Sequence, residues 1–565
     1  MKSYRLRERE HSELIPDLLH ARGIASGEEA ARFLEPSFER DSGDPFLLPD
    51  MGVAVERILA AAKNGEKIAV WSDYDCDGIP GGVMLSEFLR SIGLSVRHYI
   101  PHRHEEGYGL NCEGIDELAG QKISLIITVD LGSSDTEPVA HAKKSGIDII
   151  VTDHHVVPEV EPGAFALINP KRRGNRYPFD GLCGAGVAWK LVQAILSKSR
   201  ASGQTFDYAQ GKEKWLLDLV GIATLSDRVP LRGENRMLAR FGLLVMRKNR
   251  RPGLAALLRM LRIEARGLTE DDIGFMIAPR INAASRMGRP STAARLLATQ
   301  NAEEAGELAQ ALQSLNNERK GVVAATVKEA KRRIAESEAL KKGIIVMGNP
   351  LWRPGILGLV ANSLAEAERK PVFLWGRDGS TSLTTSGGSV IRGSCRSDGS
   401  VNVVELMRGV GDIFLDFGGH IFSGGFSLQE EKIFELAPRL AMAYELLRTK
   451  EGGAPQIVLD RELPFEEIFS ASRDLSKLAP FGEGNAKPLF LLPGVSIAAV
   501  RSFGKSGDHL EITLARAEKR VSAISFFNTP DSFQKRPEVG MRADIVGHVE
   551  NGWNGRPRVR MVDII

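Results

Sequence analysis

A chain of 565 residues is too long for one hydrophobic core and should divide into roughly three or four domains. Its apolar share of 43% and charged share of 26% are ordinary for a soluble globular protein, and a net charge of +2 makes any nucleic-acid surface a local matter. Four well-separated cysteines without a CxxC pair argue against a disulfide framework and a thiolate zinc site, and no run of ~20 uninterrupted apolar residues offers a membrane span.

The first residues, Met1-Lys2-Ser3-Tyr4-Arg5, lack the apolar stretch of a signal peptide, so a cytoplasmic protein is expected. Residues 1–50 form an N-terminal segment with a helix over 28–34, broken afterwards by Pro36, Pro45 and Pro49. After a helix over 53–62, strands over 67–72, 94–100, 123–129, 147–152 and 165–168 alternate with helices over 81–93 and 138–144. That alternation predicts a parallel sheet covered by helices. Helices over 185–197 and 215–225 follow.

Two basic stretches, Lys171-Arg172-Arg173-Gly174-Asn175-Arg176 and Arg247-Lys248-Asn249-Arg250-Arg251, read as a solvated loop and a helix end, with a phosphate backbone as the alternative partner. Residues 301–340, rich in Ala, Glu, Lys, Leu and Gln, predict one long helix or two stacked ones bridging domains. A second α/β pattern starts at 343, with glycine-dense stretches over 386–393 and 411–425. Beyond 455, five short β-branched runs at 495–500, 509–514, 521–526, 541–548 and 558–562 suggest a small barrel of OB type. Rings and cations interleave there: Phe503 with Arg501 and Lys505, and Trp553 with Arg556, Arg558 and Arg560. Such a mixture suits sequence-tolerant stacking on a single strand. One of Phe526 and Phe527 is expected in the barrel core.

Chemistry concentrates at three strand ends. Asp73, Asp75 and Asp77 follow the first strand at alternate positions, which in an extended chain share one face. Three unpaired carboxylates that close repel and take up protons, and a hard cation such as Mn²⁺ or Mg²⁺ relieves them. The competing reading makes these aspartates caps of the next helix. The run 123–129 ends on Asp130, and the run 148–152 ends on Asp153-His154-His155. Carboxylate and imidazole therefore gather at the C-terminal edge of the sheet, where open α/β sheets bind ligands.

Asp75-Cys76-Asp77-Gly78, Asp130 and Asp153-His154-His155 resemble the first three motifs of the DHH phosphoesterase superfamily, and residues 225–231 resemble its fourth. Pro101-His102-Arg103 with Glu106-Gly107-Tyr108-Gly109, residues 279–284, Phe417-Gly418-Gly419-His420 and residues 478–482 resemble the RecJ exonucleases within it. The resemblance implies an α/β multidomain chain: N-terminal segment 1–50, parallel-sheet DHH catalytic domain 51–235, long helical connector 236–341, smaller α/β DHH-associated substrate-holding domain 342–450, and OB-fold single-strand-binding domain 455–565. It implies a metal-dependent exonuclease on single-stranded DNA, digesting 5′-to-3′ and releasing 5′-mononucleotides in recombination and repair. Single-strand-binding protein and a helicase are the implied partners.

For the site, the resemblance implies two ions, Mn²⁺ or Mg²⁺, bridged by Asp130. Asp75 would hold one ion, and Asp77, His154 and Asp227 the other. Trp71 stands where relatives carry a histidine ligand, leaving Asp73 or water to complete the first ion's shell. Asp153 would orient His154, and His155 would donate to the scissile phosphate. Arg103, Tyr108, Arg280, Asn282, Arg396, Gly418, Gly419 and His420 would contact substrate. Leu131 and Asn349 depart from the family, which usually has Asn and often His there. Two other readings are a DHH hydrolase of nano-RNA or cyclic dinucleotides, and an inactive replication-fork scaffold. The barrel speaks against the first, and the intact set Asp75, Asp77, Asp130, His154 and Asp227 against the second.

Overall fold

Continuous β-branched runs in the first third of the chain pair into one parallel sheet. Its strands are β1 (Lys67–Ser72), β2 (Ser95–Tyr99), β3 (Ile123–Val129), β4 (Asp148–Thr152) and β5 (Ala166–Ile168), in the order β2-β1-β3-β4-β5. The computed structural model describes residues 3–565 apart from 26, 104–105, 202–211, 339, 341–342, 378–388, 448–455, 505–506 and 553–554. Both faces of the sheet are covered, which is why its strands read as unbroken apolar runs rather than alternating ones. One face packs Ile68, Val70 and Ile127 against the helices Gly78–Ser91 and Gly184–Ala201. The other packs Ala69, Trp71 and Ile126 against Ile115, Leu118, Val139 and Ala142.

The expected connector is divided between two bodies. Helices Gly233–Arg247, Pro252–Leu261, Ala278–Arg286 and Pro290–Ala298 bury Met237, Leu254, Ile281 and Leu296 in the core of the parallel sheet. The bridge proper is the 35-residue helix Ala302–Glu336, roughly 50 Å long. Asn301 caps it by accepting the amides of Glu303 and Glu304 at 2.8 and 3.2 Å. Its first half buries Leu308, Leu312 and Leu315 in the first core. Its second half packs Ala330 and Ile334 against Ile345, Ile356 and Leu374 of the next sheet. That sheet runs Ile345–Gly348, Val372–Arg377, Val390–Arg396, Ser423–Gln429, Asp416–His420 in space, and only its first pair is parallel.

The five C-terminal runs form a closed barrel in the order Phe490–Phe503, His509–Arg516, Lys519–Ser525, Pro557–Ile564, Arg542–Asn551, and the last strand pairs back onto the first. The N-terminal segment has too few apolar residues for a core of its own and completes this one. Leu18, Leu19, Ile24 and Phe33 join Phe465, Leu478 and Ile564, and Tyr4–Leu6 pairs with Ile457–Leu459. Arg172 of the first basic stretch is tied to Asp50 and Glu161 at 2.6 and 2.8 Å, and Arg251 of the second to Asp218 at 2.6 Å, so both hold the fold together. Among the described residues, no helix is long and apolar enough to cross a membrane. Lys505 and Trp553 lie outside the described residues.

Candidate active site

Asp73, Asp130 and Asp153 each take the first position beyond a strand, and each amide extends the ladder by one bond. Asp73 donates to Val129 O at 3.1 Å, Asp130 to Thr152 O at 3.0 Å and Asp153 to Ile168 O at 3.2 Å. The sheet itself thus sets three carboxylates in a row at its C-terminal edge. Asp130 has φ +68°, which few non-glycine residues adopt. A Cβ on Gly184 would stand 2.4 Å from Asp130 Cβ, so only glycine lets the helix Gly184–Ala201 begin this close. The amides of Gly184 and Ala185 donate to Asp77 Oδ2 and Oδ1 at 2.6 and 2.8 Å.

The first motif differs from its expected extended form, because β1 ends at Ser72 and the chain turns at once into a helix. Asp75 Oδ1 accepts the amides of Asp77 and Gly78 at 2.7 and 3.1 Å, so the capping reading holds for Asp75. The turn separates the three carboxylates. Asp73 and Asp75 gather with Asp130, whereas Asp77 gathers with His154 and Asp227. Asp227 arrives from the C-terminal end of the helix Leu217–Ser226. His154 Nε2 lies 3.1 Å from Asp130 Oδ1, 3.6 Å from Asp227 Oδ2 and 3.8 Å from Asp77 Oδ2.

Burial and mutual repulsion push these acids up: Asp77 to about 7, Asp227 to about 9, and Asp73 and Asp130 well above the carboxylate range. Burial, helped by the charge of His155, pushes His154 down to about 3 and keeps its ring neutral. Asp73 Oδ1, Asp130 Oδ1, His154 Nε2 and Asp227 Oδ2 are buried without a hydrogen bond. Groups left so cost roughly 1–3 kcal/mol each. An oxygen-rich set with one neutral imidazole fits a hard divalent cation.

Asp153 serves the neighbour of its expected partner. Its Oδ1 accepts the amides of His154 and His155 and sits 2.8 Å from His155 Nδ1, while Oδ2 accepts the Ser133 amide. The ring it orients is therefore that of His155. Although burial opposes the charge on each, their hydrogen bond and attraction hold Asp153 below the carboxylate range and raise His155. His155 is half exposed, open toward the edge of the sheet.

Tyr108 OH donates to Asp130 O at 3.2 Å, and Arg103 lies 4.7 Å over the Tyr74 ring. Arg396 donates to Cys395 O at 2.7 Å, beneath Gly358, where a Cβ would meet Nη2 at 2.8 Å. Burial and the like charges of Arg103, Arg319 and Arg396 push Arg286 to about 9, while Asp75 opposes them. Arg228 acts in turn on Arg396. Arginines from both sheet domains therefore converge beside the acidic edge; Arg228 belongs to the fourth motif, whereas Arg286 and Arg319 lie in none. Asn282 lies one turn before Arg286 on the same helix, so the two share a face. Arg280 is buried and bound to Gln313 Oε1 and Met276 O at 2.8 and 2.5 Å, locking its helix to the long one. Gly418, Gly419 and His420 lie exposed on the outermost strand of the second sheet. Leu131 is buried core, and Asn349 bonds Glu329 and the Leu351 amide, so both family departures serve the fold.

On the barrel, His509 gathers Phe503, Phe526 and Phe527 at ring distances of 5.2, 5.5 and 4.9 Å. Neither member of the 526–527 pair is core, contrary to expectation. Phe526 is 38% and Phe527 80% exposed, because the strand ends at Ser525 and Phe527 turns outward at φ +57°.

Residues 67–224 match the DHH family, N-terminal domain, residues 340–443 the DHHA1 domain, and residues 459–562 the RecJ OB domain. The single-stranded-DNA-specific exonuclease RecJ of Escherichia coli (strain K12) is 33% identical over 84% of this chain and 82% of its own length. The RecJ of Bacillus subtilis (strain 168) is also 33% identical, over 97% of this chain and 67% of its own. The chain belongs to the RecJ family. Within that family, the crystal structure of RecJ from Thermus thermophilus in complex with Mn²⁺ superposes with a TM-score of 0.77 at 28% identity, covering 97% of this chain and 75% of that one.

Proposed function

We propose that this RecJ-family chain is a metal-dependent exonuclease on single-stranded DNA that works from the 5′ end and releases 5′-mononucleotides in recombination and repair. The observation that carries the reading is three adjoining groups, Asp73-Asp75-Asp130, Asp130-His154-His155 and Asp77-His154-Asp227, with four buried ligand atoms left without hydrogen bonds. Two divalent cations, Mn²⁺ or Mg²⁺, would supply a nucleophile from water at neutral pH and offset charge on the phosphoryl oxygens. Asp130 is assigned to both ions, Asp75 and Asp73 to one, and Asp77, His154 and Asp227 to the other. His155, oriented by Asp153, donates to the scissile phosphate. Arg103, Arg286 and Arg396 grip the backbone as planar donors. Asn282, Tyr108, Gly418, Gly419 and His420 complete the substrate wall. Single-strand-binding protein and a helicase are the partners that the family implies.

End-labelled single-stranded DNA, duplex DNA and short RNA, each incubated with Mn²⁺, test the proposal. Single strands should shorten from the 5′ end, duplex should persist, and EDTA should stop the reaction. Cleavage confined to dinucleotides would favour the short-substrate reading instead.

Two further outcomes follow from the cleft and the barrel. Arg396→Ala and His420→Ala should each raise KM or lower turnover with unchanged Mn²⁺ content; wild-type kinetics in both would reduce those residues to scaffold. Phe527→Ala should weaken binding of long single strands by ~1–3 kcal/mol, the worth of one base stacked on a ring, and leave melting temperature unchanged because the ring is exposed. Undiminished affinity would move the strand off this end of the barrel.

A further inference from the structure

The segment that precedes the barrel reaches back onto the loop that carries Asp227. The Leu231 amide donates to Glu483 O at 2.8 Å, and Arg232 Nε donates to Gly484 O at 2.9 Å. A Cβ on Gly482 would meet Leu231 Cδ1 at 2.8 Å, and one on Gly484 would meet Pro230 Cβ at 3.3 Å. Residues 482–484 therefore lie in direct contact along 230–232, three to five positions after Asp227.

Both partners in this contact are stiffened from behind. The buried guanidinium of Arg236 donates to Lys477 O, Leu478 O and Ala479 O at 3.2, 2.9 and 3.1 Å, as well as to Phe33 O at 2.5 Å. Asn485, fully buried, donates to Leu478 O and Pro480 O at 2.8 and 2.9 Å, and its Oδ1 accepts from Arg22 Nε at 2.8 Å. Arg232 Nη2 also donates to Arg22 O at 2.6 Å. The N-terminal segment, the pre-barrel segment and the Asp227 loop thus form one hydrogen-bonded body. Asp227 itself sits at a helix end, and Arg228 beside it has φ +60°, a conformation its neighbours must hold.

We propose that residues 482–485, with Arg232, are positioning residues for the metal site. They fix the backbone of 230–232 and thereby the Asp227 carboxylate beside His154 and Asp77. The inference rests on the assignment of Asp227 as a ligand in the preceding section. It also means that grip and chemistry are not separable modules. A chain cut between the second sheet and the barrel would lose the segment that seats one ligand, and so would lose more than its hold on long strands.

The test is Mn²⁺ titration calorimetry on the full chain, with Arg232→Ala, Gly482→Val, Arg232→Lys and Asp227→Asn beside the wild type. Arg232 is exposed, so its truncation spares the core, and metal-free melting curves identify any variant that fails to fold. Arg232→Ala and Gly482→Val should each weaken one ion by roughly 10–100-fold, the usual effect of removing support behind a ligand, and leave the other at wild-type affinity. Arg232→Lys, which keeps a donor, should recover most of that loss. If both loop variants bind both ions as the wild type does while Asp227→Asn loses one, the positioning role is wrong and the ligand assignment stands. If Asp227→Asn also binds both ions normally, the assignment of Asp227 fails, and the inference falls with it.

Discussion

Replacing Asp130 with alanine should abolish hydrolysis, lowering turnover by more than the ~10²–10³-fold typical of one lost transition-state contact. The reason is position. Asp130 belongs with Asp73 and Asp75 on one side and lies 3.1 Å from His154 Nε2 on the other. Among the described candidate groups, Asp130 is the carboxylate that occurs both with Asp73 and Asp75 and with His154. The fold should not suffer. In the metal-free chain, Asp130 holds its proton well above the ordinary carboxylate range because it is buried among other acids. Between the ordinary carboxylate value and that raised one, the folded chain binds a proton that the unfolded chain has released, so stability falls as pH rises. Alanine removes that liability. The metal-free variant should therefore melt at or above the wild-type temperature at pH 8, with the gain shrinking toward pH 4. Retained turnover in a folded Asp130→Ala chain would sink the two-ion assignment.

His155→Ala should cost roughly 10²–10³ in rate while Mn²⁺ content stays at the wild-type level. The proposed division of the histidine pair rests on burial and on the Asp153 bond, although His155 Nδ1 also comes within 3.9 Å of Asp130 Oδ1. His154 is buried and neutral with Nε2 turned into the acidic cluster, whereas His155 is half exposed with Nδ1 against Asp153. Asp153 raises the His155 pKa, so the donor form is present at lower pH and is lost as pH rises through that raised value. In Asp153→Asn the support disappears, and the alkaline fall in kcat should move to lower pH. Loss of an ion from His155→Ala, seen by calorimetry, would make His155 a ligand and overturn the division.

The parts of the site legible in the sequence are those produced by local rules. Strands buried on both faces read as unbroken apolar runs, and the residue just beyond each run is where a parallel sheet presents its edge, so Asp130 and Asp153 were in view at once. Asp227 lies on no such edge and was visible only through its motif. Side-chain partnership was less legible, because it depends on rotamers. Nothing in Asp153-His154-His155 says which ring the carboxylate orients. Arg286 sits in a helix whose charged positions look like any solvated face, yet it is partly buried, donates to Gly355 O of the second domain and feels the charge of Asp75. The contact between 482–484 and 230–232 spans about 250 residues, and no local pattern encodes it. Phe526 reads as the last residue of a barrel strand, yet the strand has already ended at Ser525.

The most direct test of the account is an anomalous difference map from crystals of the chain grown with Mn²⁺. Two peaks are expected, ~4 Å apart, with Asp130 reaching both, Asp75 contacting one, and Asp77, His154 and Asp227 the other. A single peak, or two peaks that Asp130 does not join, would contradict it.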